Sequence, residues 1–246
     1  MKKIKWLSYD ILENIPGICH GTFLRHSGVS KEPFDSLNVS NSVGDHPPYV
    51  LENRELIRDQ LDLAHLVFPH QEHGVGICRV TASNVGDHFV ADGLITNEPG
   101  IGLGATHADC QIALFYDPVQ RAVGIAHSGW RGSVQNIYRH LIEALHREMG
   151  SQPRDLLVAI SPSLGPDHAE FKNYQTELPE TFWDAQVAPN HFDFWEISRR
   201  QLLQCGVLET HIEVANLCTC CEVKDYYSYR REKKTGRNGT VIGLIL

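Results

Sequence analysis

The chain has no apolar run long enough to cross a bilayer. Its basic start, Lys2, Lys3 and Lys5, is followed by Ser8, Asp10, Glu13 and Asn14 where a signal peptide would carry an apolar core. No membrane partner is therefore expected, and the cytoplasm is the expected compartment. An excess of positive charge is missing too: 22 Lys and Arg stand against 30 Asp and Glu, a formal charge of −8, which argues against a nucleic-acid partner. The one basic cluster, Arg230, Arg231, Lys233, Lys234 and Arg237, is short and reads as a solvated turn. There is no even, regularly spaced set of cysteines. Seven thiols at irregular intervals exclude a disulfide framework and suit a reducing compartment. Nor is there an internal repeat, a low-complexity tract or a Pro/Gly/Ser linker, so 1–246 is expected to form a single domain, as a monomer or a small homo-oligomer. With 246 residues it can bury a core without cross-links.

What is present is patterned for mixed structure. Residues 17–48 are rich in Gly, Ser, Asn and Pro and read as an early strand, Ile18 to Phe23, followed by a long loop. Val50, Leu51, Leu56, Ile57 and Leu61, with charges between them, suit an amphipathic helix. Leu66 to Phe68, Val75 to Val80, Gly93 to Thr96, Ile101 to Ala105, Ile112 to Tyr116, Ala122 to His127, Leu156 to Ile160, Ile212 to Ala215 and Val241 to Leu246 are strand-like. Val134, Ile137, Leu141, Leu145 and Met149 fall at helical spacing over Ser133 to Met149, closed by Gly150. Arg199 to Cys205 suits a further helix. This order predicts an α+β (mixed α/β) fold, a layered sandwich with mixed β-sheets inside and helices outside.

Fourteen histidines are many for this length, and imidazole is the commonest transition-metal ligand. Three donors coincide with strand ends: His73 in a turn before a strand, Cys110 ahead of Ile112 to Tyr116, and His127 where a strand gives way to Ser128-Gly129-Trp130-Arg131-Gly132. Their separations are too long for a zinc knuckle and suit a site assembled by the fold. Two imidazoles and a thiolate would give zinc three ligands and an open fourth position, the mark of catalysis rather than of structure. Read from spacing alone, the same residues also suit core or surface histidines and an inert buried thiol.

At these residues the sequence resembles the YfiH-like family, also called laccase-domain-containing or multicopper-polyphenol-oxidase-like. His20-Gly21-Thr22-Phe23-Leu24-Arg25 with Gly28-Val29-Ser30, then Leu37-Asn38, Val43-Gly44-Asp45 and Asn53-Arg54, are similar to its opening blocks. Gln71-x-His73-Gly74, Ala91-Asp92-Gly93-Leu94-Ile95-Thr96, Ala108-Asp109-Cys110 and Ala126-His127-Ser128-Gly129-Trp130-Arg131-Gly132 resemble its central motifs. Ile160 to Pro166, Cys218-Thr219, Ser228-Tyr229-Arg230-Arg231 and Thr235-Gly236-Arg237 resemble its closing ones. The resemblance implies the sandwich fold and metal ligation by His73, Cys110 and His127. It also implies zinc-dependent phosphorolysis of adenosine, inosine, guanosine and methylthioadenosine, with deamination of adenosine, so that purine nucleosides and phosphate would be the partners.

The older laccase label would imply copper and phenol oxidation, but the chain has no His-x-His pair, the simplest sign of a multicopper site. Zinc is therefore expected before copper, and deamination suits an open zinc site directly. Arg25 is the expected phosphate grip, with Asn38 and Arg230 as further substrate contacts. Asp109 is expected to orient a ligand histidine or to cap a turn. His107 replaces a family Thr and reads as a solvent-facing residue or a base near the thiolate. Cys218, Cys220 and Cys221 lack a second ligand pair at ribbon spacing and read as buried or partly buried thiols. Trp130 and Arg131 read as a strand-to-helix corner or as a substrate wall. Two alternatives stay open: a thiol hydrolase using Cys110 with His127, and a non-catalytic partner protein.

Overall fold

Residues 3–245 are described by a computed structural model; Met1, Lys2 and the end of the strand expected to reach Leu246 lie outside them. The strands are β1 (Trp6–Leu7), β2 (Ile18–Phe23), β3 (His65–Val67), β4 (Ile77–Arg79), β5 (Gly93–Thr96), β6 (Ile101–His107), β7 (Gln111–Asp117), β8 (Ala122–Ser128), β9 (Leu157–Ile160), β10 (Gln186–Ala188), β11 (His191–Phe192), β12 (Ile212–Val214) and β13 (Asn238–Leu244). The α-helices are α1 (Pro47–Gln60), α2 (Trp130–Val134), α3 (Ile137–Met149), α4 (Tyr174–Glu177), α5 (Phe194–Gln204) and α6 (Tyr229–Glu232).

Two mixed sheets lie face to face. One runs β1-β2-β13-β6-β3, the other β12-β9-β7-β8-β5-β4. The reason is legible in β7, an apolar strand whose successive side chains must face opposite ways. Ile112 and Leu114 join Leu94, Val123 and Ile125 against Ile18, Leu103 and Ile242 of the other sheet. Ala113 and Phe115 face outward under Ile137, Tyr138, Leu141 and Leu145 of α3 and Leu202 of α5. On the far side, Phe23 and Val241 pack against Val39, Ile57 and Leu61, so α1 covers the first sheet. The order is helix, sheet, sheet, helices, as the pattern predicts.

Two boundaries differ from the sequence expectation. The helix read over Ser133 to Met149 is two helices, because Asn136 takes a left-handed backbone at φ 55 and its side chain accepts from Arg139 N, starting α3 afresh. The helix read from Arg199 begins a turn and a half earlier, where the Asp193 carboxylate accepts from Trp195 N and Glu196 N. Gly150 closes α3 in the left-handed conformation at φ 80, as expected for a helix end.

Candidate metal centre

The six-stranded sheet sets the centre. β7 and β8 pair antiparallel with Ile112 opposite His127, which brings the residue before β7, Cys110, beside the end of β8. The loop into β4 then carries His73 across the same edge. The donor atoms of His73, Cys110 and His127 lie within 4.8 Å of one another, and the two imidazole rings meet nearly edge to face, 4.8 Å apart at 80°. Both approaches rest on left-handed backbone, at His73 (φ 61) and at Asp109 (φ 91), a conformation uncommon outside glycine. Gly129 closes the third side: a Cβ there would sit 2.8 Å from His73 Cδ2 and 3.3 Å from Cys110 Sγ, so only glycine leaves room for the cluster.

One buried carboxylate organises all of this. Asp92 accepts from the backbone N–H groups of Glu72 (3.1 Å), His73 (3.0 Å) and Gly74 (2.7 Å). Its Oδ1 also pairs with His127 Nδ1 at 2.8 Å. It thereby holds the His73 turn and orients the His127 ring, leaving Nε2 of His127 for the cluster, the usual arrangement behind a metal-bound imidazole. Burial works against ionisation of Asp92, but His127 and the N–H of Gly74 outweigh it and hold its carboxyl below the ordinary range. Burial likewise opposes a charge on Cys110, yet His127 and His73 bring its thiol down to about 6. His127 moves up to about 9, since Asp92 and Cys110 together overcome its burial. An unusually acidic thiol between two imidazoles, one backed by a carboxylate, is a donor set suited to a borderline-soft cation.

Two clefts share Ala108, Cys110 and Tyr229 as a common wall. The larger, about 500 Å³, has an apolar side made by Trp130, Leu164, Ala169, Phe171 and Phe194, a polar rim of Glu170, Arg230 and Lys233, and the buried Gln111 and Ser163 deeper in its lining. The smaller, about 320 Å³, is polar and lined by Ser42, Gln71, His73, Thr106, His107, His127 and Arg237. Trp130 is both corner and wall: it opens α2, meets Phe171 edge to face and carries the Arg131 guanidinium on its ring.

The structure separates the remaining expected residues. Arg25 is committed elsewhere: its guanidinium lies over Tyr227 and is bonded to Glu232 (3.0 Å) and the Asp35 carbonyl (3.1 Å), and it is not among the residues lining either cleft. Asn38 is buried, its amide spent on Ser40, Asp45 and Arg237 N. These bonds hold the loop after β2 together, so neither residue is free to take phosphate. Asp109 contacts no histidine through its side chain. Its oxygens accept from Thr219 Oγ1 (2.8 Å) and Arg230 N (2.6 Å), and the orienting carboxylate is Asp92 instead. Arg230 does line the larger cleft.

His107 does not face solvent. It is 2% exposed, with Nε2 on Thr240 Oγ1 at 2.9 Å, and burial together with the nearby His127 charge lowers its pKa to about 3. The basic cluster is a solvated turn only in part: Lys233 and Lys234 are exposed, but two of its arginines are engaged elsewhere. Arg231 donates to the carbonyls of Thr219, Cys220 and Tyr226, and Arg237 lines the polar cleft with no carboxylate at ion-pair distance among the described residues. Asp92 and Arg237 are the functional candidates that the reading of the sequence passed over, although both stand inside matched motifs.

Comparisons with known proteins agree with this architecture. The pattern of the family described as multi-copper polyphenol oxidoreductase laccase matches residues 19–245. The chain is 34% identical to the purine nucleoside phosphorylase YlmD of Bacillus subtilis, over 94% of its own length and 90% of the relative's. It is 36% identical to the purine nucleoside phosphorylase YlmD of Geobacillus stearothermophilus, over 92% and 90%. A crystal structure of the Bacillus licheniformis hypothetical protein YfiH superposes with a TM-score of 0.86 at 31% identity, covering 92% of each chain. The chain belongs to the multicopper polyphenol oxidoreductase laccase family, in its YfiH-like form.

Proposed function

We propose that this protein is a zinc-dependent purine nucleoside phosphorylase, with His73, Cys110 and His127 as the metal ligands. The observation that carries the reading is that the cluster lines the polar cleft while one of its members, Cys110, also lines the apolar one. Zinc bound there would supply a Lewis acid and an acidified water close to both clefts. Trp130, Phe171 and Phe194 offer flat apolar faces to a purine ring. Glu170 and Arg230 on the rim offer polar partners to the base and sugar edges. Arg237 lines the polar cleft with Cys110 and, although its Nη1 donates to the Thr235 and Gly236 carbonyls, has no carboxylate at ion-pair distance among the described residues, so it suits a phosphate dianion better than Arg25 does. Phosphate held there and a nucleoside held opposite would meet at the shared wall, which is the geometric requirement of a displacement at the ribose C1′.

Deamination of adenosine would use the same larger cleft, with Glu170 the carboxylate available for proton transfer, since both oxygens of Asp109 are engaged. The test is incubation of zinc-loaded protein with adenosine or inosine, with and without phosphate, followed by chromatography. Phosphate-dependent release of adenine or hypoxanthine is the expected result. No base release by metal-loaded protein, or bound copper with oxygen uptake on a phenol, would refute the reading.

One observation favours a second reading. Cys110, His127 and Asp92 form a continuous thiol, imidazole and carboxylate relay, the arrangement of a thiol hydrolase. A single histidine would suffice for that chemistry, whereas His73 completes a ligand set. Activity that persists in a strong chelator would favour the hydrolase; loss of activity restored by zinc would favour the phosphorylase.

A further inference from the structure

A second group of donors lies outside this centre. His168, Cys218 and Cys221 present donor atoms within 4.8 Å of one another, although His168 is far from the cysteines in sequence. His168 Nδ1 stands 3.6 Å from Cys218 Sγ and 3.7 Å from Cys221 Sγ. An ordinary thiol-to-imidazole hydrogen bond accounts for one of these contacts and not for both, because a neutral imidazole nitrogen has one lone pair to offer. Two sulfurs converging on one nitrogen is the arrangement that a shared cation produces. With zinc at about 2.0 Å from nitrogen and about 2.3 Å from sulfur in tetrahedral geometry, neighbouring N and S donors are about 3.5 Å apart.

The surroundings of the sulfurs point the same way. Cys218 Sγ accepts the backbone N–H of Gly165 at 3.2 Å, which fixes the sulfur beside the 165–168 turn. The two cysteines are three residues apart on a tight turn in which Cys221 N and Glu222 N both donate to the Cys218 carbonyl, at 3.0 and 2.9 Å. That turn puts both thiols on the side facing the 165–168 turn, where His168 N donates to the Gly165 carbonyl at 3.0 Å. Arg231 fixes the turn from behind through the carbonyls of Thr219 and Cys220. Gly165 is needed here, since a Cβ would lie 3.0 Å from Cys218 Cβ and 3.3 Å from its sulfur.

The geometry points to a second site for a thiophilic d10 cation, zinc, held by His168 Nδ1, Cys218 Sγ and Cys221 Sγ, which clamps the segment carrying Ser163, Leu164 and Ala169 to the 218–221 turn. Uptake forms one Zn–N and two Zn–S bonds and releases the two thiol protons. The clamp borders the larger cleft, because Ser163, Leu164 and Ala169 line it and Thr219 donates to Asp109 next to Cys110. The second site draws on none of the substrate contacts proposed above; only the expected total of two zinc ions rests on the proposed centre at His73, Cys110 and His127.

Reduced full-length protein is loaded with zinc chloride, desalted and subjected to elemental analysis. Wild type is expected to retain two zinc ions per chain, and Cys221→Ser, Cys218→Ser and Cys110→Ser one each. Cobalt loading gives a second readout. Thiolate-to-cobalt absorption should keep about two thirds of its intensity in Cys110→Ser and about one third in a Cys218→Ser/Cys221→Ser double variant, in proportion to the thiolates left. Cys221 is exposed, so its serine variant is expected to fold, and zinc protection of Cys218 and Cys221 from alkylation in wild type needs no variant at all. Retention of the same zinc content by Cys221→Ser, or unimpeded alkylation of both thiols in zinc-loaded protein, would each overturn the assignment.

Discussion

The two histidine and cysteine clusters use the same side-chain chemistry on different supports. His73, Cys110 and His127 are placed by the ends of β7 and β8 and by a turn tied to Asp92, a side chain 3% exposed. His168, Cys218 and Cys221 stand on two turns near the surface, held by backbone N–H groups and carbonyls and by no carboxylate among the described residues. The difference teaches where rigidity comes from. A donor at the end of a central strand inherits the precision of the sheet, and a buried carboxylate then fixes ring orientation. A donor on a turn is positioned by a few local bonds and remains accessible, which suits capture of an ion that holds two turns together.

Three substitutions separate the roles of the two clusters. Cys110→Ser has the largest expected effect: it removes the sole thiolate of the sheet-end cluster, and phosphorolysis by zinc-supplemented protein should fall by at least about 10³-fold, about 4 kcal/mol. If Cys221→Ser lowered kcat as much, the two clusters would not differ as described. Arg237→Ala should raise KM for phosphate by about 10- to 100-fold, the loss of one or two charge-assisted hydrogen bonds, with a smaller change in KM for inosine. Equal changes for both substrates would remove phosphate from the polar cleft. Asp92→Asn should lower zinc affinity at the sheet-end cluster by about 10- to 100-fold, as loss of an orienting carboxylate does. Zinc competition with a chromophoric chelator measures this, and a loss of affinity shared by the turn cluster would contradict their independence.

A histidine outside both clusters supplies a baseline of smaller size. His20 is buried, its Nε2 accepts Tyr9 N at 3.0 Å, and burial lowers its pKa to about 4. Between that value and the unfolded value of about 6.5 the unfolded chain binds more protons, so stability is complete above about pH 6.5 and is lost as pH falls toward 4. Urea unfolding at pH 5 should show about 2 kcal/mol less stability from this group than at pH 7. His20→Gln, which cannot take the proton, should flatten that slope, and an unchanged slope would refute the assignment.

Much of the architecture was readable from one-dimensional pattern, because strand alternation and helical spacing act over a few residues. The apolar run at 112–116 and the helical positions of α3 are of this kind. Side-chain pairings across the fold were not readable. Asp92 stands in a matched motif, but its role depends on the 72–74 turn folding over it. Arg25 and Arg237 look alike in sequence; Glu232 and Asp35 neutralise the first, and the second has no carboxylate partner among the described residues. His168 joins Cys218 only because the segment after β9 and the segment after β12 run side by side, with Ser163 bridged to Cys218. The break at Asn136 was hidden because the apolar spacing runs on through it.

The fourfold grip of Asp92 has a thermodynamic consequence. Because the polypeptide around His73 and His127 is ordered by folding itself, uptake of an ion at the sheet edge should immobilise little further chain and bury little further apolar surface. Calorimetry across a range of temperatures should then find a heat capacity of binding near zero at that location.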